Sequence, residues 1–172
     1  PATSKTVSFK VNDGDTDSNT DTKNLAITRA NDAPTLTTTV SNLSYTEGDG
    51  AVPVDNNITV ADPDSTQIQG ATVQITGNFV AADDELAFSD QNGITHSYDD
   101  TTGTLTLTGT TTIANYQTAL RSVTYENTDD NPSGTKTVSF QVTDAEGAAS
   151  NVATRTIDLN NANSAPVVDT SG

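Results

Sequence analysis

The nine residues Lys5-Thr-Val-Ser-Phe-Lys-Val-Asn-Asp13 return almost unchanged as Lys136-Thr-Val-Ser-Phe-Gln-Val-Thr-Asp144. A second pair, Asn31-Asp-Ala-Pro34 and Asn163-Ser-Ala-Pro166, follows in the same order. The offset is 131 residues for the first pair and 132 for the second, so one residue is gained or lost between them. Self-similarity at a fixed period is the sequence signature of a repeat architecture, in which each repeat is one structural unit. The phase of the match predicts three parts. Residues 1–34 are the last two strands and linker of a preceding unit, 35–166 one complete unit, and 167–172 the start of the next. The opening Pro1, in place of Met, is read the same way: the chain is expected to be cut from something longer.

Within the complete unit, short runs of alternating apolar and polar residues are bounded by Gly, Asn and Asp, the pattern of half-buried strands. The alternation predicts strands near 35–46, 51–60, 70–77, 84–88, 94–99, 103–109, 122–126, 135–143 and 152–160. Asp100-Thr-Thr-Gly103 reads as the turn of a hairpin. One stretch breaks the period of two: Ile113, Tyr116, Ala119, Leu120 and Val123 form a helical stripe, with Thr111 or Thr112 as its cap. Many short strands and one brief helix predict an all-β fold, an antiparallel Greek-key β-sandwich of the immunoglobulin type.

Composition agrees. Threonine, a strand former, fills about one position in five. The formal net charge of -16 argues against nucleic acid and against an anionic bilayer, both of which reward basic patches. No apolar run reaches the roughly 18 residues of a membrane span, so no membrane insertion is expected. With no Cys there is neither a disulfide framework nor a thiol nucleophile.

Carboxylates and amides cluster between the strands: Asn31-Asp32, Asp62-Pro-Asp64, Asp144-Ala-Glu146, and Glu126-Asn-Thr-Asp129-Asp130-Asn131, with Glu47 after the first strand. Asp and Asn in loops are often only turn formers. On a Greek-key sandwich, however, the loops carrying Asp62, Asp64, Asp144 and Glu146 open at the end where the chain enters, beside Asn31-Asp32. Converging carboxylates repel unless a hard cation lies among them. Calcium, with six to eight oxygen ligands at about 2.3–2.6 Å, is the cation that such loops suit.

Ala61-Asp-Pro-Asp64, Asn31-Asp-Ala-Pro34, Glu47 ahead of Gly50-Ala-Val, and Val142-Thr-Asp-Ala-Glu-Gly147 resemble the calcium motifs of cadherin repeats. The whole unit, above all the stretch from Leu105 through Tyr116, Val123-Thr-Tyr125 and Asn131-Pro132 to Val138-Ser-Phe140, resembles the cadherin-like tandem repeats of large bacterial surface adhesins. The resemblance implies a secreted or cell-surface rod stiffened by calcium (Ca2+) at its junctions. Its partners would be neighbouring repeats of the same chain, or copies of itself assembled head to tail. The upper junction would use Asn31, Asp32, Asp62, Asp64 and Asp144. The lower would use Glu47, Asn161 and Asn163, helped by Asp129 or Asp130. The unit is longer than a typical repeat of this kind, with the excess expected in 78–121.

Catalysis finds little support. His96, the only histidine, lies on an alternating strand and cannot build a zinc cluster or a triad alone. Asp83-Asp-Glu85 with Asp99-Asp100 is formally a glycosidase pair. Without Trp there is little aromatic surface to position a sugar. Asp13-Gly-Asp-Thr-Asp17 opens like an EF-hand loop but has no Glu at the twelfth position. Lys136 is one of four lysines and a formal candidate for an isopeptide link, with no partner legible in the sequence. The expectation is therefore not an enzyme but an extender repeat or, as the alternative, a carbohydrate- or protein-binding module of a secreted protein.

Overall fold

The computed structural model describes residues 4–162. Two compact units divide the chain, Pro1–Asn31 and Asp32–Gly172.

In the first unit, β1 (Ser4–Phe9) and β2 (Asp21–Ala26) form an antiparallel hairpin in which Lys5 faces Leu25, Val7 faces Lys23 and Phe9 faces Asp21. Every residue of both strands is exposed. The connecting loop closes on itself: Asp13 Oδ1 accepts the backbone N–H of Thr16 at 2.9 Å and of Asp15 at 3.0 Å. These amides hold the Asp13 carboxyl below the usual carboxylate range. The EF-hand-like run is thus a self-satisfied turn, with Asp17 paired to Lys10 and Asn12.

The second unit runs β3 (Thr35–Thr37), β4 (Leu43–Thr46), β5 (Val52–Pro53), β6 (Thr59–Ala61), β7 (Gln67–Gly77), β8 (Asp84–Ala87), β9 (Thr95–Asp99), β10 (Thr104–Thr112), α1 (Ile113–Arg121), β11 (Thr124–Asn127), β12 (Gly134–Asp144) and β13 (Ala153–Asn160). The large sheet has the order β4-β13-β12-β7-β10-β9, antiparallel except for the parallel pair β4 and β13. Opposite it lie the sheet β5-β11-β8 and the ribbon β3-β6. Alternation decides what is buried. Val138, Phe140 and Val142 of β12, Val73 and Ile75 of β7, and Leu105 and Leu107 of β10 share a core with Leu86, Tyr125 and Val54. Tyr45 and Tyr125 meet edge to face at 5.2 Å, a preferred aromatic geometry. The helix adds Tyr116, Ala119 and Leu120 to the core, and Thr112 caps it by accepting from Asn115 N. This is the all-β sandwich with one short helix that the alternation predicts.

The two expected strands 35–46 and 51–60 are each divided. Thr39 turns aside because its backbone N–H and hydroxyl both donate to the buried Asp55 carboxylate, at 2.6 and 2.8 Å. The chain leaves β3, which pairs with β6, and joins the large sheet as β4. Asp55 also accepts from Asn57 N at 3.0 Å, an Asx turn that separates β5 from β6. The extra length at 78–121 comprises β8, β9, β10 and α1. Eleven strands lie among the described residues of the second unit, against the nine that the alternation predicts.

Candidate functional site

At the entrance end, the loop after β6 and the turn after β12 meet on one acceptor. Ser65 Oγ and Ala145 N both donate to the Gln67 carbonyl, at 3.0 and 3.2 Å. Asp62 Oδ1 accepts the backbone N–H of Ser65 at 2.7 Å and of Asp64 at 2.9 Å, folding the Asp-Pro-Asp loop. Its other oxygen, Oδ2, is buried with no hydrogen-bond partner. Asp64 Oδ1 accepts from Asp32 N at 3.2 Å. Asp144 is fully buried at the start of its turn, with Oδ1 accepting from Ala148 N at 2.8 Å. Glu146 is exposed on the same turn. Asp32, Asp62, Asp64 and Asp144 therefore belong to one end of the second unit, while Asn31 belongs to the first unit.

Among the described residues, no three His, Cys, Asp or Glu side chains form a group that could hold a metal ion. A buried carboxylate oxygen without a donor is costly unless something positive satisfies it. Asp62 Oδ2 is such an atom, with Asp64 and Asp144 in the loops beside it.

At the opposite end, Glu47 lies on the turn after β4. Its backbone N–H donates to Asn160 O at 2.9 Å and its Oε2 accepts from Ala162 N at 3.1 Å. Asn161 reaches Asn131 through its side-chain amide. Asp129 is exposed, and its Oδ1 accepts from Asn131 N at 3.0 Å. The loop that touches Asn161 therefore does so through Asn131, a contact with no distinct signal in the sequence. Asn163 lies outside the described residues.

A third cluster went unread in the sequence. Asp84, with a fully buried side chain, accepts from Lys136 Nζ at 2.6 Å and Val80 N at 2.8 Å on Oδ2. On Oδ1 it accepts from Tyr125 Oη and Asn127 Nδ2, each at 2.7 Å. Burial, and then the bond to Asp84, pushes the Tyr125 phenol well above its ordinary range. Tyr45 Oη brackets the backbone of Asn127, accepting from its N–H and donating to its carbonyl. The signal was available: Lys136 falls in phase with the inward-facing Val138, Phe140 and Val142. Of the formal glycosidase carboxylates, Asp84 is thus fully engaged, and Asp83, Glu85 and Asp100 line a surface hollow with Tyr98. His96 is on the edge strand, its Nδ1 2.6 Å from Asp90 Oδ1.

No protein-family model matches the chain. It is 42% identical over 125 residues to halomucin of Haloquadratum walsbyi, a match covering 70% of this chain and 1% of halomucin. The chain therefore spans about one hundredth of that relative, which is on the order of ten thousand residues long. Among solved structures, a cohesin module from a Clostridium perfringens family 33 glycoside hydrolase aligns with a TM-score of 0.44 at 10% identity. That alignment covers 76% of this chain and 98% of the module.

Proposed function

We propose that the chain is a segment of a tandem extracellular repeat array, an extender that sets the reach of a very long surface protein. The carrying observation is that β1–β2 repeats β12–β13 in register. Lys5, Val7 and Phe9 face Leu25, Lys23 and Asp21, as Lys136, Val138 and Phe140 face Ile157, Arg155 and Ala153. Environments differ where sequences agree: Phe9 is 56% exposed and Phe140 0%, and Val7, Val11 and Leu25 are exposed where Val138, Val142 and Ile157 are buried. The hairpin is the closing edge of an upstream unit, whose remaining strands would cover those side chains. The identity to a stretch of a protein as long as halomucin supports a long parent chain. Calcium is the second part of the proposal. Asp62, Asp64 and Asp144 would hold it at the entrance of the unit, and Glu47 with Asn161 would offer a weaker set at the exit. A bound calcium neutralises and ties the loops it bridges.

The test is to place residues 32–135 in front of Lys5, which supplies the strands the upstream unit lacks, and to measure small-angle scattering in calcium and in chelator. A compact globule of that size has a radius of gyration of about 19 Å. An extender is expected to exceed this clearly in calcium and to become more variable in shape in chelator. A compact particle, indifferent to calcium, would overturn the reading.

A further inference from the structure

The Lys136–Asp84–Asn127 cluster has no role in an extender as described, yet its chemistry is specific. A buried ion pair is costly to assemble and is often replaceable by apolar side chains without loss. Here the acid does more than neutralise the amine: its two oxygens hold a nucleophile on one side and a carboxamide on the other. Lys136 Nζ is on Oδ2 at 2.6 Å, and Asn127 Nδ2 is on Oδ1 at 2.7 Å. Asn127 Oδ1 accepts the backbone N–H of Asp129 at 3.1 Å. That contact withdraws charge from the carboxamide and is placed to stabilise an oxyanion on the same atom. Tyr125 Oη and Val80 N fix the carboxylate between its two partners. A hollow lined by Asn127, Asp129, Gly134 and Lys136 adjoins the cluster, giving a small leaving group a route to solvent.

We propose that this is an autocatalytic cross-linking site that joins Lys136 Nζ to Asn127 Cγ as an isopeptide bond. Asp84 removes a proton from the ammonium, and the freed lone pair attacks Cγ. The Asp129 amide holds the resulting oxyanion. The remaining steps pass the second Nζ proton through Asp84 to Nδ2, and the Cγ–Nδ2 bond breaks. One C–N bond forms, one breaks, one ammonia leaves, and Asp84 retains the proton that the ammonium gave up. No oxidant or co-reactant is needed. Two buried charges become a neutral amide and a neutral acid, so the product sheds the desolvation cost carried by the ion pair. The link ties the start of β12, in the large sheet, to the end of β11, in the small one. Lys5 stands at the repeat position of Lys136, so the nucleophile recurs from unit to unit.

The test is the intact mass of the folded 172-residue chain after denaturation, followed by tryptic mapping. The expected mass is below the sequence mass by one ammonia. Trypsin should cleave after Lys5 but not after Lys136, leaving 122–155 as one internally linked peptide. Lys136→Arg removes the nucleophile and is expected to restore the sequence mass. An unchanged mass in the wild-type chain would overturn the proposal. So would ammonia loss that persists in Lys136→Arg, which marks a succinimide at Asn127. Loss of water, with the link mapped to Asp84, would overturn Asn127 as the electrophile.

Discussion

At the scale of single residues, the interior of this sandwich is governed by polar atoms that must be satisfied. Tyr125→Phe takes the phenol away from the buried Asp84 Oδ1, and leaving a buried acceptor short of a donor costs about 1–3 kcal/mol whether the acid is charged or neutral. Urea unfolding should show a loss in that range with an unchanged m-value. A loss below a few tenths would mean that the phenol contributes only packing. Tyr116 and Tyr125 also set the alkaline limit. Burial raises the Tyr116 phenol to about 12 and the Tyr125 phenol further still. Both folded values lie above the unfolded value of about 10, so the native state holds more protons between those limits. Stability should therefore be flat, as far as these groups are concerned, below pH 10 and fall as pH rises through 12. A spectrophotometric titration should find both phenols ionising together with unfolding, and early reversible ionisation of all four tyrosines would contradict it.

At the scale of elements, Gly109 is the position where backbone conformation is forced. It sits where the register of β10 against β7 shifts, at φ +129, and a Cβ there would meet the Gly93 carbonyl oxygen at 2.2 Å. Gly109→Ala should cost at least ~1–3 kcal/mol from the backbone alone, with the clash added. Gly93→Ala, at φ +77 with open space around its Cβ, should cost less in the same melt. Equal losses would mean that the close approach is unimportant. The elements themselves were largely legible: alternation placed β7 to β13, and the helical stripe with its threonine cap placed α1. What was not legible depends on contacts between distant residues. The split of 35–46 rests on Thr39 with Asp55 and on Asn42 with Asp158, 116 residues away. Asp62-Pro-Asp64 and Asp144-Ala-Glu146 are local patterns, so the turns that carry them were legible as turns. The partners of Lys136 were not legible because three elements, β8, β11 and β12, bring Asp84, Tyr125 and Asn127 to it, and no local pattern links them.

At the scale of the whole molecule, a net charge of -16 opposes compaction, and a divalent cation at the entrance would relieve part of it. At ten times its dissociation constant a single site adds ~1.4 kcal/mol by mass action. The melting temperature should therefore rise in calcium by more than in sodium chloride of equal ionic strength, and Asp62→Asn should remove most of the excess. Equal shifts in the two salts would reduce the acidic loops to solvated turns. The central claim, that β1–β2 is the closing edge of an upstream repeat, is tested most directly by amide hydrogen exchange. The measurement compares the present chain with the protein in which residues 32–135 precede Lys5. In the longer protein the amides of Val7, Phe9 and Leu25 should slow toward the rates of Val138, Phe140 and Ile157. If they exchange as fast as in the present chain, the hairpin does not belong to a repeat of this fold.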